Sequence, residues 1–305
     1  MRRILLFFFG LSVFSLNAQQ SIADEGSESL YQQAMESYRQ ESYQSATTLF
    51  QQYLNRTESP SVEARYYAAL SKLKSSDQSG LTDIKRFIAD EPQHPLAGGA
   101  NFLIGNHFFA KEDYEQAIAY YELVSRSQLN IKDQEEMLFK SGYAYLETED
   151  VERAKTNFGQ AIDFRGAYME DASYYLGVIY YRQKNYNEAL AVLEPIDKEG
   201  SEYSGQVSML IASCYFETRS YTRLYAYAEP KLKKATGEGK KELNRLLGEA
   251  YYEQKKFENA APYLQRYIDL NRRTTASTYY KLGMCYFKLD QNKNAIEYFK
   301  LSGLD

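Results

Sequence analysis

The 305-residue chain carries 44% hydrophobic and 25% charged residues, the proportions of a folded protein and not of a disordered one. Its formal net charge of −5 offers no clustered Lys and Arg to displace the counterions of nucleic acid, and no basic amphipathic stretch suits an anionic membrane surface. Thirty Tyr and 16 Phe beside only six Pro point to long helices whose contacts are filled by flat rings.

In chain order, Met1-Arg2-Arg3 is a short positive start, Ile4 to Phe14 an apolar run, and Ser15 to Ala18 a cleavage end. The run is shorter than the roughly 20 apolar residues that span a bilayer, so residues 1–18 read as a secretory signal peptide. The expected destination is the periplasm or association with the outer membrane, with no membrane span left after cleavage. No cysteine follows the run, which removes the lipid-anchored variant of such a signal. Residues 19–28 are expected to be a flexible N-terminal segment and 29–305 a single repeat array.

The array announces itself by small residues at Ala34, Ala68, Gly105, Gly142, Gly177, Ala212, Gly248 and Gly283, the reference position of each unit. Twelve residues after each comes Ala46, Gly80, Ala117, Ala154, Ala189, Leu224, Ala260 or Ala295, so only Leu224 breaks the small-residue rule. Sixteen after it come Phe50, Ile84, Tyr121, Phe158, Leu193, Ala228, Leu264 and Phe299. Three after it, an aromatic recurs in the last six units, from Phe108 to Tyr286. Helix axes approach to about 8–10 Å only where the contact residues are small, so each unit is expected to be two helices crossing tightly at these positions. The approximate units are 27–60, 61–97, 98–134, 135–169, 170–204, 205–240, 241–275 and 276–305.

Along the array, unit two reads as worn at Asp77 and Gly80, and its joint Gln93 to Gly99 holds His94, expected to be a solvated loop histidine. His107 in unit three occupies the slot of Cys214 and Cys285, and is expected to be partly buried and satisfied by partners. The turns Lys111-Glu112-Asp113, Glu147 to Asp150 and Gln183-Lys184-Asn185 separate first from second helices. Further long joints are expected at Ser127 to Asp133, Asp197 to Gly205 and Lys233 to Lys241. Pro195 and Pro230 should kink or shorten second helices. Unit six is the least regular, with Leu224 in a small slot and Lys231 in an apolar one. Gly237-Glu238-Gly239-Lys240-Lys241 lacks the spacing of a phosphate loop and reads as a turn between helices. Unit eight should leave Ile296 and Phe299 partly uncovered.

The register resembles the tetratricopeptide repeat family, most clearly in Tyr174-Tyr175-Leu176-Gly177-Val178-Ile179-Tyr180 followed by Asn185-Tyr186-Asn187-Glu188-Ala189-Leu190. The family's usual Trp is missing throughout, and its terminal Pro survives only as Pro92. The resemblance implies an all-α, right-handed superhelical solenoid of about eight antiparallel two-helix repeats. It also implies an inner wall lined by first helices, where peptide or helical segments of other proteins bind. Mapped onto this chain, that wall holds Tyr31, Phe102, Phe139, Tyr174 and Tyr280 three residues before the reference position. Four residues after it stand Tyr38, Phe109, Tyr181, Phe216, Tyr252 and Phe287. Asn106 has no matching Asn in neighbouring units, so a carboxylate clamp of the kind some members carry is not expected.

No HExxH, GxSxG or CxxC occurs, and no acidic cluster has the spacing of a calcium loop. No metal, cofactor or catalytic residue is therefore assigned, and Cys214 and Cys285, two units apart, are expected to be free buried thiols. The expected function is a non-catalytic scaffold or adaptor, similar to repeat proteins of a Gram-negative-type envelope that assist outer-membrane assembly. Two alternatives stand beside it: glycan binding by tyrosine faces, and a docking or sensor portion of a longer enzyme or signalling protein.

Overall fold

The computed structural model describes residues 26–271 and 274–303, so the expected signal peptide lies outside the described residues. The described residues form sixteen α-helices, two short 3₁₀ turns and no strand. They fall into two compact units, divided between Thr148 and Glu149.

The first unit holds α1 (26–39), α2 (Tyr43–Arg56), α3 (Val62–Lys74), α4 (Ser79–Asp90), α5 (Leu96–Phe109), α6 (Tyr114–Tyr121) and α7 (Ile131–Glu147). The second holds α8 (Val151–Asp163), α9 (Met169–Arg182), α10 (Tyr186–Leu193), α11 (Ser204–Glu217) and α12 (Tyr221–Leu232). It continues through α13 (Gly237–Glu253), α14 (Phe257–Leu270), α15 (Ala276–Lys288) and α16 (Asn292–Leu301). Helix α1 is already formed at residue 26, inside the stretch read as a flexible segment. In the first unit α3 packs on α4 and α5 on α6, and in the second α9 packs on α10, α11 on α12, α13 on α14 and α15 on α16; within each unit the second helix also packs on the next first helix.

The crossings explain the small residues. A Cβ on Gly105 would stand 2.5 Å from Tyr121 Cδ1, and one on Gly177 the same distance from Leu193 Cγ. On Gly248 it would meet Leu264, and on Gly283 Phe299, each at 2.8 Å. Every one of these partners lies sixteen residues on, so the reference glycine is the socket and the later side chain its filling. Ala34, Ala46, Ala68, Ala117, Ala154, Ala189, Ala212, Ala260 and Ala295 are all buried, and so is Gly142. Gly80 is not a worn position. A Cβ there would lie 2.7 Å from Leu73 Cα, so α3 and α4 meet backbone to backbone.

Between first and second helices the chain turns through one left-handed residue: Glu41, Ser76, Glu112, Glu149, Lys184, Arg219, Lys255 or Asp290. The next N–H then returns to a carbonyl five residues back, as from Asp113 to Phe108 at 3.0 Å and from Asn185 to Tyr180 at 2.9 Å. This is the helix-ending geometry that usually takes glycine; here no turn has one. Asp113 and Asp150 then cap the following helices, accepting from the N–H of Gln116 and Arg153.

Several joints are shorter than expected, because helices begin inside them: α5 at Leu96, α7 at Ile131, α11 at Ser204 and α13 at Gly237. The Gly237 to Lys241 stretch is thus the first turn of α13, where exposed N–H groups tolerate glycine. Pro195 closes α10, whose last turn becomes 3₁₀ at Glu194–Ile196; Pro230 sits two residues from the end of α12. Pro262 lies within α14.

The interfaces between successive hairpins follow a rule of their own. In four units the tyrosine three residues after the reference position donates its hydroxyl to the residue seventeen after the previous one, whereas Tyr180 has Gly159 in that slot and unit two has Ser71 in place of the tyrosine. Tyr145 reaches Glu122 (2.8 Å), Tyr215 reaches Glu194 (2.5 Å), Tyr251 reaches Glu229 (2.7 Å) and Tyr286 reaches Gln265 (3.3 Å). Where that residue is Lys85, the ring is Phe108, with the ammonium 5.2 Å from its centroid. Acceptor meets hydroxyl; cation meets bare ring.

Candidate binding surface

The rings expected on the inner wall occupy first helices and are held by second helices. In the first unit, Tyr38 meets Tyr43 edge-on at 5.6 Å, and Phe109 meets Tyr114 at 5.7 Å. In the second unit, Tyr181 meets Tyr186 at 5.6 Å, Phe216 meets Tyr221 at 6.2 Å, and Tyr252 meets Phe257 at 5.9 Å. The partner always lies five residues after the wall ring. These partners form a second aromatic column in the sequence. Edge contacts of this kind fix a ring's orientation while leaving one face open.

Following helices close in from the other side. Tyr67 stands edge-on to Tyr38 at 5.1 Å, and Tyr143 stands so to Phe109 at 5.8 Å. All five wall rings are half-buried, and burial raises the pKa of the Tyr38, Tyr181 and Tyr252 hydroxyls. They titrate above the ordinary tyrosine range and remain neutral donors at physiological pH.

The other row is less uniform. Tyr31 lies between Phe50 and Tyr53, and Phe139 is half-buried. Phe102 is only 4% exposed and fills the core against Tyr121, so it is no wall residue: its helix turns it toward α6. Tyr174 stacks face to face on Tyr203 at 4.3 Å. Tyr280 and Phe287, on the last hairpin, are 39% and 49% exposed.

Polar residues between the rings are paired among themselves. Arg65 holds Glu91 at 2.7 Å, and Lys72 holds Asp83 at 2.6 Å. Arg245 binds Glu242 and Glu249, and Lys281 shares Glu249 at 3.3 Å. Asn106 accepts from Tyr121 (2.7 Å) and Lys140 (3.1 Å) and donates to Glu136 (3.1 Å). With its amide engaged on both sides, Asn106 is unavailable to grip a carboxylate. The wall therefore offers rings, not free charges.

His94 is not the solvated loop histidine expected, and His107 is partly buried as expected but not satisfied by partners. His94 is half-buried, accepts from the N–H of Leu96 on Nδ1 and stands edge-on to Phe87, so it ties its joint together. His107 Nε2 is buried and, among the described residues, has no hydrogen-bond partner. Desolvation, then the charges of Lys111 and Lys85, lower its pKa and keep it neutral. Cys214 and Cys285 are free and buried, and burial pushes each thiol up to about 12. Among the described residues no group of three or more His, Cys, Asp and Glu is placed to hold a metal, and no helix is long and apolar enough to cross a membrane.

A run of tightly crossed helical hairpins with rings on the first helices defines a helical repeat protein of the interaction class. The chain belongs to the tetratricopeptide repeat family: models of that repeat match residues 78–128, 139–203, 219–275 and 276–302. No curated protein matches the chain. Among solved structures, the apo form of RapI is 14% identical, with 90% of this chain and 96% of that one covered and a TM-score of 0.52. PilF of Pseudomonas aeruginosa is also 14% identical, covering 70% of this chain and 92% of its own, at a TM-score of 0.48. A tetratricopeptide repeat protein from Parabacteroides merdae is 17% identical, with 79% and 92% covered and a TM-score of 0.44. Repeats of this family form scaffolds for protein–protein interaction, and their partners are proteins.

Proposed function

We propose that the chain is an exported, non-catalytic adaptor that holds apolar or aromatic peptide segments of partner proteins against the rings of its first helices. The observation that carries this reading is the recurring ring pair, edge-on at Tyr38/Tyr43, Phe109/Tyr114, Tyr181/Tyr186 and Tyr252/Phe257 and tilted at Phe216/Tyr221. Each of these wall rings is half-buried and locked by its neighbour, so binding against it costs little additional side-chain entropy. The self-paired Arg65, Lys72, Arg245 and Lys281 leave no free charge to demand an ionic guest. Residues 1–18 support export to an envelope compartment, where such an adaptor would serve assembly of larger structures.

Crosslinking mass spectrometry in cells, comparing the natural chain with Tyr181→Ala/Phe216→Ala, tests the wall. Loss of specific crosslinked partners is the expected result; an unchanged partner set would refute it. Fusion of residues 1–25 to a reporter that is active only outside the cytoplasm tests export, and an inactive fusion would remove the localisation.

A further inference from the structure

We infer that a cavity between α12, α13 and α14 binds a small polyhydroxylated anion, a sugar carrying phosphate or carboxylate. None of the first-helix wall rings lines this cavity, so the inference does not depend on the adaptor reading.

The cavity has a volume of about 570 Å³, within the ~300–1,000 Å³ range of small-molecule sites. It lies inside the second compact unit, where the end of α12 leads into α13. Lys233 directly follows α12, Lys240 stands on α13 and Arg266 on α14, so three elements each bring one cation to the lining. All three side chains are exposed, and none has an ion-pair partner among the described residues. Their neighbours on the same joint behave otherwise: Lys231 is held by Asp197 at 2.9 Å and Lys234 by Glu199 at 2.6 Å. The one acid on the lining, Glu229, already accepts from the hydroxyls of Tyr251 (2.7 Å) and Tyr263 (3.3 Å). Three positive charges against one engaged carboxylate focus a field that draws in an anion.

Hydrogen bonding narrows the class. Asn244, on the lining, is fully buried, and its Nδ2 donates to the backbone carbonyl of Lys240 at 2.7 Å. A carbonyl only accepts, so that bond fixes which way the amide faces. Oδ1 is left as a buried acceptor with no hydrogen-bond partner among the described residues. The hydroxyl of Tyr225, also on the lining, is buried and unpartnered in the same way, and its ring is held by stacking on Tyr251 at 4.0 Å. Buried polar atoms of this kind select an occupant that brings them donors.

An acidic peptide would answer the three cations, but its N–H groups are flanked by Cα atoms and stand off from a recessed acceptor. A ligand hydroxyl is a small terminal group that reaches one. A polyol bearing an anionic group therefore meets both demands at once: charge for Lys233, Lys240 and Arg266, and hydroxyls for Asn244 and Tyr225.

The test is isothermal titration calorimetry on the whole chain with glucose 6-phosphate, glucuronate, glucose and inorganic phosphate. At least one of the two charged sugars should bind with a Kd of about 1 mM or tighter, and the tighter of them names the anion. Glucose and inorganic phosphate each offer half of the recognition and should bind at least about tenfold more weakly. Lys240→Gln/Arg266→Gln should weaken the charged sugar about tenfold or more, and because both side chains are exposed the variant should keep the helical circular dichroism of the parent. Tyr225→Phe keeps the ring on Tyr251 and removes only the hydroxyl; it should weaken the charged sugar about threefold or more and leave inorganic phosphate unchanged, a ratio that a merely structural tyrosine would not move. No binding of either charged sugar at about 10 mM would overturn the inference and leave the cavity to water. Inorganic phosphate binding as tightly as glucose 6-phosphate would reduce the site to a patch of charge and overturn it too. Tighter binding of a glutamate hexapeptide than of both sugars would give the cavity to an acidic protein segment. Binding indifferent to Lys240→Gln/Arg266→Gln, or lost in Tyr181→Ala/Phe216→Ala, would place the ligand elsewhere on the chain; each of these results refutes the assignment.

Discussion

Hairpins α3/α4 and α11/α12 both depart from the repeat, and they do so in opposite directions. In most units the second helix carries a small residue and, one turn later, a large one: Ala46 then Phe50, Ala117 then Tyr121, Ala189 then Leu193. Hairpin α3/α4 exaggerates that order with Gly80 then Ile84, and the missing Cβ lets α4 rest on the backbone of Leu73. Hairpin α11/α12 inverts it with Leu224 then Ala228, and both are fully buried. The crossing therefore demands a fixed volume across one turn of helix, not a small residue at one particular place.

The largest effect that would break this comparison is expected at Gly80. Gly80→Ala places a methyl against backbone that cannot rotate away, so the loss should exceed the usual 1–3 kcal/mol of overpacking and reach about 4 kcal/mol by urea denaturation. A cost below about 1 kcal/mol would mean that α3 and α4 are not in backbone contact. Leu224→Ala comes next. It installs the residue the repeat prefers, yet it should cost about 3 kcal/mol, because Ala228 leaves the cavity unfilled. The double change Leu224→Ala/Ala228→Leu restores the common order and should recover more than half of that loss. If the double variant is less stable than either single one, volume compensation is the wrong explanation.

The inverted pair shows how far the sequence could be read. Leu224 stands out in the small-residue column, whereas Ala228 is the compensating change in a different column. The fold was legible because glycine and alanine recur at a helical crossing, where one physical requirement repeats in every unit. Asp77 and Gly80 looked worn because a column of preferred residues cannot show how closely two backbones approach. Phe102 fell among the wall residues because its spacing matched, whereas the α5 helix directs it to Tyr121. The rings five residues after the wall aromatics, and the Glu-to-Tyr and Lys-to-Phe pairing between hairpins, were in the text as well. They required comparing neighbouring units, because the complementary residues lie in different columns.

A smaller effect separates the same two hairpins at their far ends. Nineteen residues after the reference position α4 has Phe87, buried, and α12 has Lys231. Lys231 reaches Asp197 at 2.9 Å and Ser208 at 3.1 Å, with its ammonium 4.9 Å from the ring of Tyr227, whose hydroxyl also donates to Asp197. Lys231→Met keeps the stem and removes the charge, leaving the largely buried Asp197 with hydroxyl donors alone. Because Lys231 is partly exposed, the expected loss is about 1–2 kcal/mol, below that of a fully buried pair. A neutral or stabilising result would show that the lysine is a passenger in an apolar slot.

The smallest effect is one the two hairpins should share. Ser76 and Arg219 are the left-handed turn residues of α3/α4 and α11/α12, with φ of 65° and 54°, and both side chains are exposed. The same return hydrogen bond closes each turn, Asp77 to Lys72 at 3.0 Å and Ser220 to Tyr215 at 2.8 Å. A side chain in this conformation costs about 1–2 kcal/mol, and glycine relieves that while adding about 0.5–1 kcal/mol of chain entropy to the unfolded state. Ser76→Gly and Arg219→Gly should therefore each stabilise by about 0.5 kcal/mol in urea midpoints, with equal effect in the two hairpins. Unequal effects would show that the inverted volume at Leu224 also strains the turn leading into it, and the two departures would then be one.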